Sequence, residues 1–302
     1  LKKKYIYILS QRYSGSTLLS FLLGTHPQIS TIGERRKFYN KSIRPKANET
    51  QDCSCGQTFA NCDFWNDVRE RVMNRVSPSD LVTNPTEFRL YNNKYAHTIA
   101  SKMYQWSYLK GMPSTLQPFG RKMRKLRQFN EVLTDEIMKK EDNIAFLDSS
   151  KVIDHALHLS QIEAYDFSVI WLARDPRAQV FSALKYNDWT IEEATKHWKD
   201  EMDANAAILA KTGINHTVLR YEALCRNPEA EMRRILKFVD LDPNQFSLDF
   251  RAQEQHIMGN RNMRLGSDAK IVERRDWKEK LSTQDIGTIE QLTQNYQQYY
   301  TD

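Results

Sequence analysis

Tyr5-Ile6-Tyr7-Ile8-Leu9-Ser10-Gln11-Arg12-Tyr13-Ser14-Gly15-Ser16-Thr17-Leu18-Leu19-Ser20-Phe21-Leu22-Leu23-Gly24 decides the fold. The uncharged run Tyr5 to Leu9 reads as a strand buried on both faces, and Leu18 to Leu23 reads as a helix stopped by Gly24. The loop between them is rich in hydroxyls and carries one glycine. A strand that turns directly into a helix through such a loop aims backbone N–H groups and the positive end of the helix dipole at one point, which suits a phosphate. The NTPase loop G-x-x-x-x-G-K-[ST] places a lysine after its second glycine to reach the β/γ-phosphates, and a hydroxyl on Mg²⁺. Here Ser16 follows Gly15, and no glycine opens the loop. A metal-bound triphosphate is therefore a poor fit, whereas a nucleotide with a single 5′-phosphoryl group and no obligatory Mg²⁺ is a good one. The plain alternative is an ordinary turn, for which Ser and Gly are common residues.

A second strand-to-helix junction follows the same logic. Phe167 to Ala173 is apolar, Arg174-Asp175-Pro176-Arg177 follows, and a helical run continues through Ser182 to Lys185. Pro176 suits a first helical turn, where its missing N–H costs nothing. Arg174 at the strand end, with Ser182 two turns further on, forms a second candidate phosphate site, since a guanidinium grips phosphate bidentately. On its own, an Arg-Asp pair after a strand reads equally as a surface ion pair. Two phosphate sites without a Walker lysine suggest a nucleotide phosphorylated at both its 5′ and 3′ positions.

In this context the loop Arg12 to Leu19, the segment Trp171 to Ser182, Asp148-Ser149-Ser150-Lys151 and Leu219-Arg220-Tyr221-Glu222 resemble the PAPS-dependent sulfotransferases. The likeness is nearest to the bacterial and Golgi-type branch that includes carbohydrate and tyrosylprotein sulfotransferases. Gly33-Glu34, Cys53-Ser54-Cys55-Gly56 with Cys62-Asp63-Phe64-Trp65, and Gly259-Asn260 through Arg264 to Asp276-Trp277 add to it. The resemblance implies an α/β fold, a P-loop-like central parallel sheet flanked by helices, with PAPS as donor, PAP as product and no metal. It implies that Ser14, Gly15, Ser16 and Thr17 hold the 5′-phosphosulfate and that Arg174 and Ser182 hold the 3′-phosphate. Tyr221, Asn260, Arg264 and Trp277 complete the nucleotide pocket in that reading. There is one departure: where family members carry an arginine just before the Ser-Gly pair, this chain has Tyr13, and Arg12 stands one residue earlier. Arg12 is kept as a candidate for the sulfonyl oxygens.

Sulfuryl transfer resembles phosphoryl transfer in needing in-line positioning, a base for the acceptor proton and a cation for the leaving phosphate. Glu34 is the candidate base by resemblance to the tyrosylprotein enzymes. Its neighbours Arg35, Arg36 and Lys37 pull against this, because adjacent cations lower a carboxyl pKa when a base needs it raised. Lys151 is the candidate for the leaving group. It follows the strand run Asn143 to Leu147 at its carboxyl end, the edge where open α/β sheets bind ligands, and a cation at a helix start is explained by an anionic ligand more readily than by fold stability. Asp148 reads as a structural residue of this turn, and His155 and His158 as ordinary helix residues.

The 302 residues, 40% of them apolar, are expected to form one domain. Strands at Tyr5–Leu9, Ile144–Asp148, Ser168–Ala173 and His216–Arg220, with a short one near Ile29, alternate with helices as a mainly parallel sheet requires. Residues 64–141 read as a helical insertion interrupted by Pro78, Pro85, Pro113 and Pro118, and are assigned to acceptor recognition. Within it, Met123, Leu126, Phe129 and Val132–Leu133 are expected to line a buried stripe beneath the basic run Arg121–Arg127. Tyr91, Tyr95, Tyr104, Trp106 and Tyr108 are expected to be mostly core.

The net charge of +6 and pI near 9.0 call for an anionic partner. The expected partners are the nucleotide donor and a hydroxyl-bearing acceptor, either an anionic glycan, a phenol or a small metabolite, with no nucleic acid. A kinase on the related fold and a non-catalytic polyanion binder are the alternatives. No stretch approaches the ~18 apolar residues of a membrane span. The cytoplasm is the expected compartment unless a leader or anchor precedes Leu1. Cys53, Cys55 and Cys62 cluster, with Cys225 apart; three thiolates could hold zinc if a His or Cys225 supplied the fourth ligand, but the C-x-C spacing lacks the usual second pair, so no metal is expected. A disulfide of Cys62 with Cys53 or Cys55 is the alternative in an oxidising compartment, with free thiols the default in the cytosol.

Overall fold

The computed structural model describes residues 2–43, 52–76, 84–113, 116–266 and 270–300. Pro78, one of the prolines noted in the insertion, lies outside them. Five parallel strands, β1 (Lys3–Ser10), β2 (Ile29–Thr31), β3 (Ala145–Lys151), β4 (Tyr165–Ala173) and β5 (His216–Arg220), form one sheet in the order β2-β3-β1-β4-β5. The central strand β1 pairs with β3 on one side and β4 on the other. The chain therefore builds outward from β1 in both directions, and the carboxyl ends of β1, β3 and β4 meet where such sheets bind ligands.

The alternation of β1 explains the two layers of helices. Tyr5, Tyr7 and Leu9 face one side with Phe146, Val169 and Trp171, while Ile6 and Ile8 face the other with Leu147, Ile170 and Leu172. Both faces are buried, so the strands read as nearly unbroken apolar runs. The Tyr5 side is covered by α2 (Asp63–Arg75), α4 (Gly120–Glu141), α5 (Ile153–Leu159) and α7 (Ile191–Thr212). The Ile6 side is covered by α1 (Ser16–Leu23), α8 (Tyr221–Arg226) and α9 (Pro228–Phe238). α3 (Lys94–Leu109), α6 (Pro176–Leu184), α10 (Arg261–Leu265), α11 (Trp277–Lys280) and α12 (Thr283–Thr293) complete the helices used below.

Helix starts obey their sequence signals. Asp175 caps α6 by accepting the Arg177 N–H at 2.8 Å ahead of Pro176, and Thr190 with Glu193 forms a capping box on α7. α4 buries Met123, Leu126, Phe129 and Leu133 as expected, while Val132, expected with them, is half-buried. The aromatics of the insertion differ from expectation. Tyr104 is buried, but Tyr95 and Trp106 are 81% and 61% exposed, and with Ile99 and Met103 they form an open apolar stripe on α3. Helical spacing puts them on one face, and no layer among the described residues covers it.

Candidate active site

Tyr13 (φ 63°) and Gly15 (φ 90°) both take left-handed backbone, which folds the loop after β1 into a tight cradle. At Gly15 only glycine serves: a Cβ there would lie 2.4 Å from Cδ2 of Tyr221. Gly15 is the N-cap of α1 and offers no side chain to the first turn, leaving that turn's N–H groups to an outside acceptor. Ser14 is buried, and its hydroxyl has no hydrogen-bond partner among the described residues. Ser16 and Thr17 are also buried.

Arg174 reaches this loop from the end of β4. Its guanidinium donates to the Tyr13 carbonyl at 2.5 Å and to the Arg274 carbonyl at 3.3 Å, and lies 4.5 Å over the Tyr221 ring. Its Nε is buried and unpartnered among the described residues. Tyr221 is thus held between Gly15 and Arg174, with its hydroxyl donating to the Val272 carbonyl at 3.1 Å. Two buried, unsatisfied donors beside an uncapped helix start would cost stability unless an anion completes them. The donor set fits a phosphorylated nucleotide.

Glu34 and Lys151 are brought together from two chain segments. Lys151 Nζ donates to Glu34 Oε1 at 2.6 Å, with Lys37 Nζ at 3.0 Å and Arg36 Nη2 at 3.5 Å from Oε2. Burial pushes the Glu34 carboxyl up, but Lys151, Lys37 and Arg36 outweigh it and hold it at about 2. Burial pushes the Lys151 ammonium down, and Glu34 opposes that shift. Lys151 sits at a register irregularity between β1 and β3, with φ 75°, so the strand is bent there to aim this side chain. Beside Glu34, Arg35 is fully buried between Asp148 Oδ2 (2.8 Å) and Asn130 of α4, which locks the segment down. Asp148 also accepts from Tyr5 OH and from the Ser150 N–H, which bears out its structural reading.

A strap from a distant part of the chain closes the site. Met258 forms a parallel bridge with Gly33: its N–H donates to the Ile32 carbonyl at 2.8 Å, and its carbonyl accepts from Glu34 N–H at 3.1 Å. Gly33 (φ 69°) has no room for a side chain, since a Cβ would lie 2.0 Å from the Met258 carbonyl. Asn260 N–H donates to Thr17 Oγ1 at 3.1 Å, and the Asn260 side chain caps α10. Arg264 is buried, donating to the Gly259 and Asp52 carbonyls.

Three candidates stand apart from this cluster. The Ser182 hydroxyl turns back to the Ala178 carbonyl at 2.8 Å. Trp277 is buried with Arg177 stacked 4.4 Å over its ring; a cleft of about 530 Å³ opens beside it, lined by Phe181, Lys185, Arg275, Asp276, Glu279 and Lys280. Arg12 is exposed, and its charge acts on Glu201 of α7. Tyr13, the departure from the family pattern, stacks on Tyr186 at 5.4 Å.

Glu222 has a part that the sequence does not assign it. Glu222 Oε1 accepts the Asp175 N–H at 3.0 Å, holding the turn that carries Arg174. Burial raises its carboxyl to about 7, against hydrogen bonds that lower it. Its place directly after Tyr221 was the signal.

Residues 6–245 match a family profile described as "Sulfotransferase family". Among curated proteins, no sequence matches the chain significantly. Among solved structures, the chain resembles the sulfotransferase domain from the Synechococcus PCC 7002 olefin synthase, with TM-score 0.51 and 16% identity over 98% of this chain and 96% of that one. It also resembles the sulfotransferase domain from the curacin biosynthetic pathway, with TM-score 0.50 and 13% identity over 97% of this chain and 98% of that one. At these identities the likeness speaks to the fold.

Proposed function

The chain belongs to the sulfotransferase family, and we propose that it transfers the sulfuryl group of PAPS to a hydroxyl-bearing acceptor. The observation that carries the donor assignment is the pair of buried, unpartnered donors, Ser14 Oγ and Arg174 Nε, set around the left-handed Gly15 turn of a loop without a lysine. Ser14 to Thr17 and the first turn of α1 bind the 5′ end, and Arg174 supplies the charge for the 3′-phosphate. In the reaction the sulfur–oxygen bond to the 5′-phosphate breaks as one forms to the acceptor oxygen, the acceptor gives up its proton, and the phosphate leaves with the bridging electron pair. Lys151 neutralises that leaving oxygen and Glu34 takes the proton.

The ion pair between them explains how a carboxylate held at about 2 can still serve. Donor charge competes for Lys151, and each cation drawn off Glu34 lets burial raise its basicity. The insertion, residues 64–141, serves acceptor recognition, and a glycan or phenol suits its aromatic and basic side chains. No helix among the described residues is long and apolar enough to cross a membrane.

Calorimetric titration with adenosine 3′,5′-bisphosphate beside ATP–Mg²⁺ tests the donor assignment. Binding of the bisphosphate in preference to ATP is expected, and preference for ATP–Mg²⁺ sinks it in favour of a kinase. Arg174→Ala is expected to weaken the bisphosphate at least ~10-fold more than adenosine 5′-phosphate, the value of a charged hydrogen bond. An unchanged ratio between the two nucleotides would misplace the 3′ site.

A further inference from the structure

Cys53, Cys55, Cys62 and His256 stand outside the chemistry above, yet the fold gathers them so that their ligating atoms all lie within 4.8 Å of one another. We propose that these four residues bind one zinc ion as a closed, structural Cys₃His site. A tetrahedral ion with Zn–S near 2.3 Å and Zn–N near 2.0–2.1 Å has S···S edges of about 3.7 Å and S···N edges of about 3.5 Å. Cys55 Sγ and Cys62 Sγ are 3.7 Å apart, and His256 Nδ1 lies 3.4 Å from both Cys53 Sγ and Cys62 Sγ. These three separations match edges of such a tetrahedron, and the other three are no longer than 4.8 Å. A disulfide needs an S–S separation near 2.05 Å, far shorter than the Cys55–Cys62 spacing.

The surroundings are those of a ligand set held from outside. His256 Nε2 lies 3.1 Å from Glu254 Oε1, which fixes the tautomer that leaves Nδ1 free to ligate, and the ring stacks on Phe64 at 4.3 Å. The Trp65 indole N–H donates to Cys53 Sγ at 3.2 Å. Cys53 and Cys62 are buried and Cys55 and His256 half-buried, so four protein ligands close the ion off from substrate. On binding, the three thiols release their protons to solvent and His256 keeps its Nε2–H. The fourth ligand that the three cysteines lack is supplied by His256, 203 positions from Cys53. The ion would tie the cysteine loop just ahead of the insertion to the strap whose Met258 and Asn260 brace Glu34 and Thr17.

The full chain, purified with reductant and without an oligohistidine tag, should carry about one zinc, released by a thiol-reactive mercurial and read with a chromogenic chelator. Cobalt in its place should show thiolate charge transfer and the intense bands of a tetrahedral ion. Cys55→Ser and His256→Gln should each drop zinc content well below the wild type, and Cys225→Ser should leave it unchanged. If the ligand variants do not fold, the unaltered protein still decides: alkylation of Cys53, Cys55 and Cys62 should be slow until a strong chelator is added. The proposal is overturned if the reduced chain retains no zinc and takes none up. It is equally overturned if Cys55 and Cys62 are found cross-linked in fresh protein, or if zinc content survives loss of His256.

Discussion

Glu34→Gln isolates the electrostatics of the site, because it keeps the side chain's shape and removes its charge. The Glu34 carboxyl lies at about 2 against an ordinary 4.5. At ~1.36 kcal/mol per pKa unit that difference is worth about 3 kcal/mol of folding stability near neutral pH. A carboxyl depressed by folding contributes fully above its unfolded value and loses the contribution as pH falls toward its folded value. Wild type should therefore exceed Glu34→Gln by about 3 kcal/mol at ~pH 7, and linkage leaves less than half of this at ~pH 3. Urea unfolding at a series of pH values reads the gap directly. Adding Lys151→Met should recover part of the loss, since a buried pair replaced on both sides costs less than one left half-broken. A gap that stays constant from neutral to ~pH 3, or one under ~1 kcal/mol at neutral pH, would refute the reasoning.

Gly15→Ala should abolish nucleotide binding by calorimetry while leaving far-UV dichroism intact, because the new Cβ meets the Tyr221 ring at 2.4 Å; bisphosphate affinity within about threefold of wild type would mean the cradle is not the phosphate site. Gly33→Ala collides with the Met258 carbonyl at 2.0 Å and should lower both Tm and kcat, and normal turnover would free Glu34 from dependence on the strap. His158 is buried, which lowers its pKa to about 3, so the unfolded chain gains a proton below ~6.5 that the folded chain refuses, and stability falls by ~1.4 kcal/mol per pH unit. His158→Phe should flatten urea midpoints between ~pH 6.5 and ~4.5, and an unchanged slope would assign the loss to other groups.

The strands were legible because a sheet covered on both faces leaves apolar runs that mark themselves, and His216–Arg220 has the same limits in sequence and structure. Lys151 was legible as a cation in an unfavourable place, and the structure brings it to 2.6 Å from Glu34. The conflict over Glu34 was also visible, in Arg36 and Lys37 beside it, whereas Arg35, expected to join them, pairs with Asp148 instead. What sequence could not reveal were partners across long separations: Met258 against Gly33, His256 among the cysteines, Glu222 beneath Asp175. The stripe on α3 failed for a different reason. Periodicity reports that Tyr95, Ile99, Met103 and Trp106 share a face, but the same pattern describes a face that is covered and one that is not.

The strap also dictates when the site can exist. Thr17 and Asn260, 243 positions apart, share a hydrogen bond, and closing so large a loop comes late in folding because its entropy is repaid only once the rest is in place. During synthesis the loop after β1 emerges with an uncapped helix start and no brace, and waits for 243 further positions before Asn260 arrives. A chain cut between the loop and this strap would keep the loop after β1 without the Asn260 bond to Thr17.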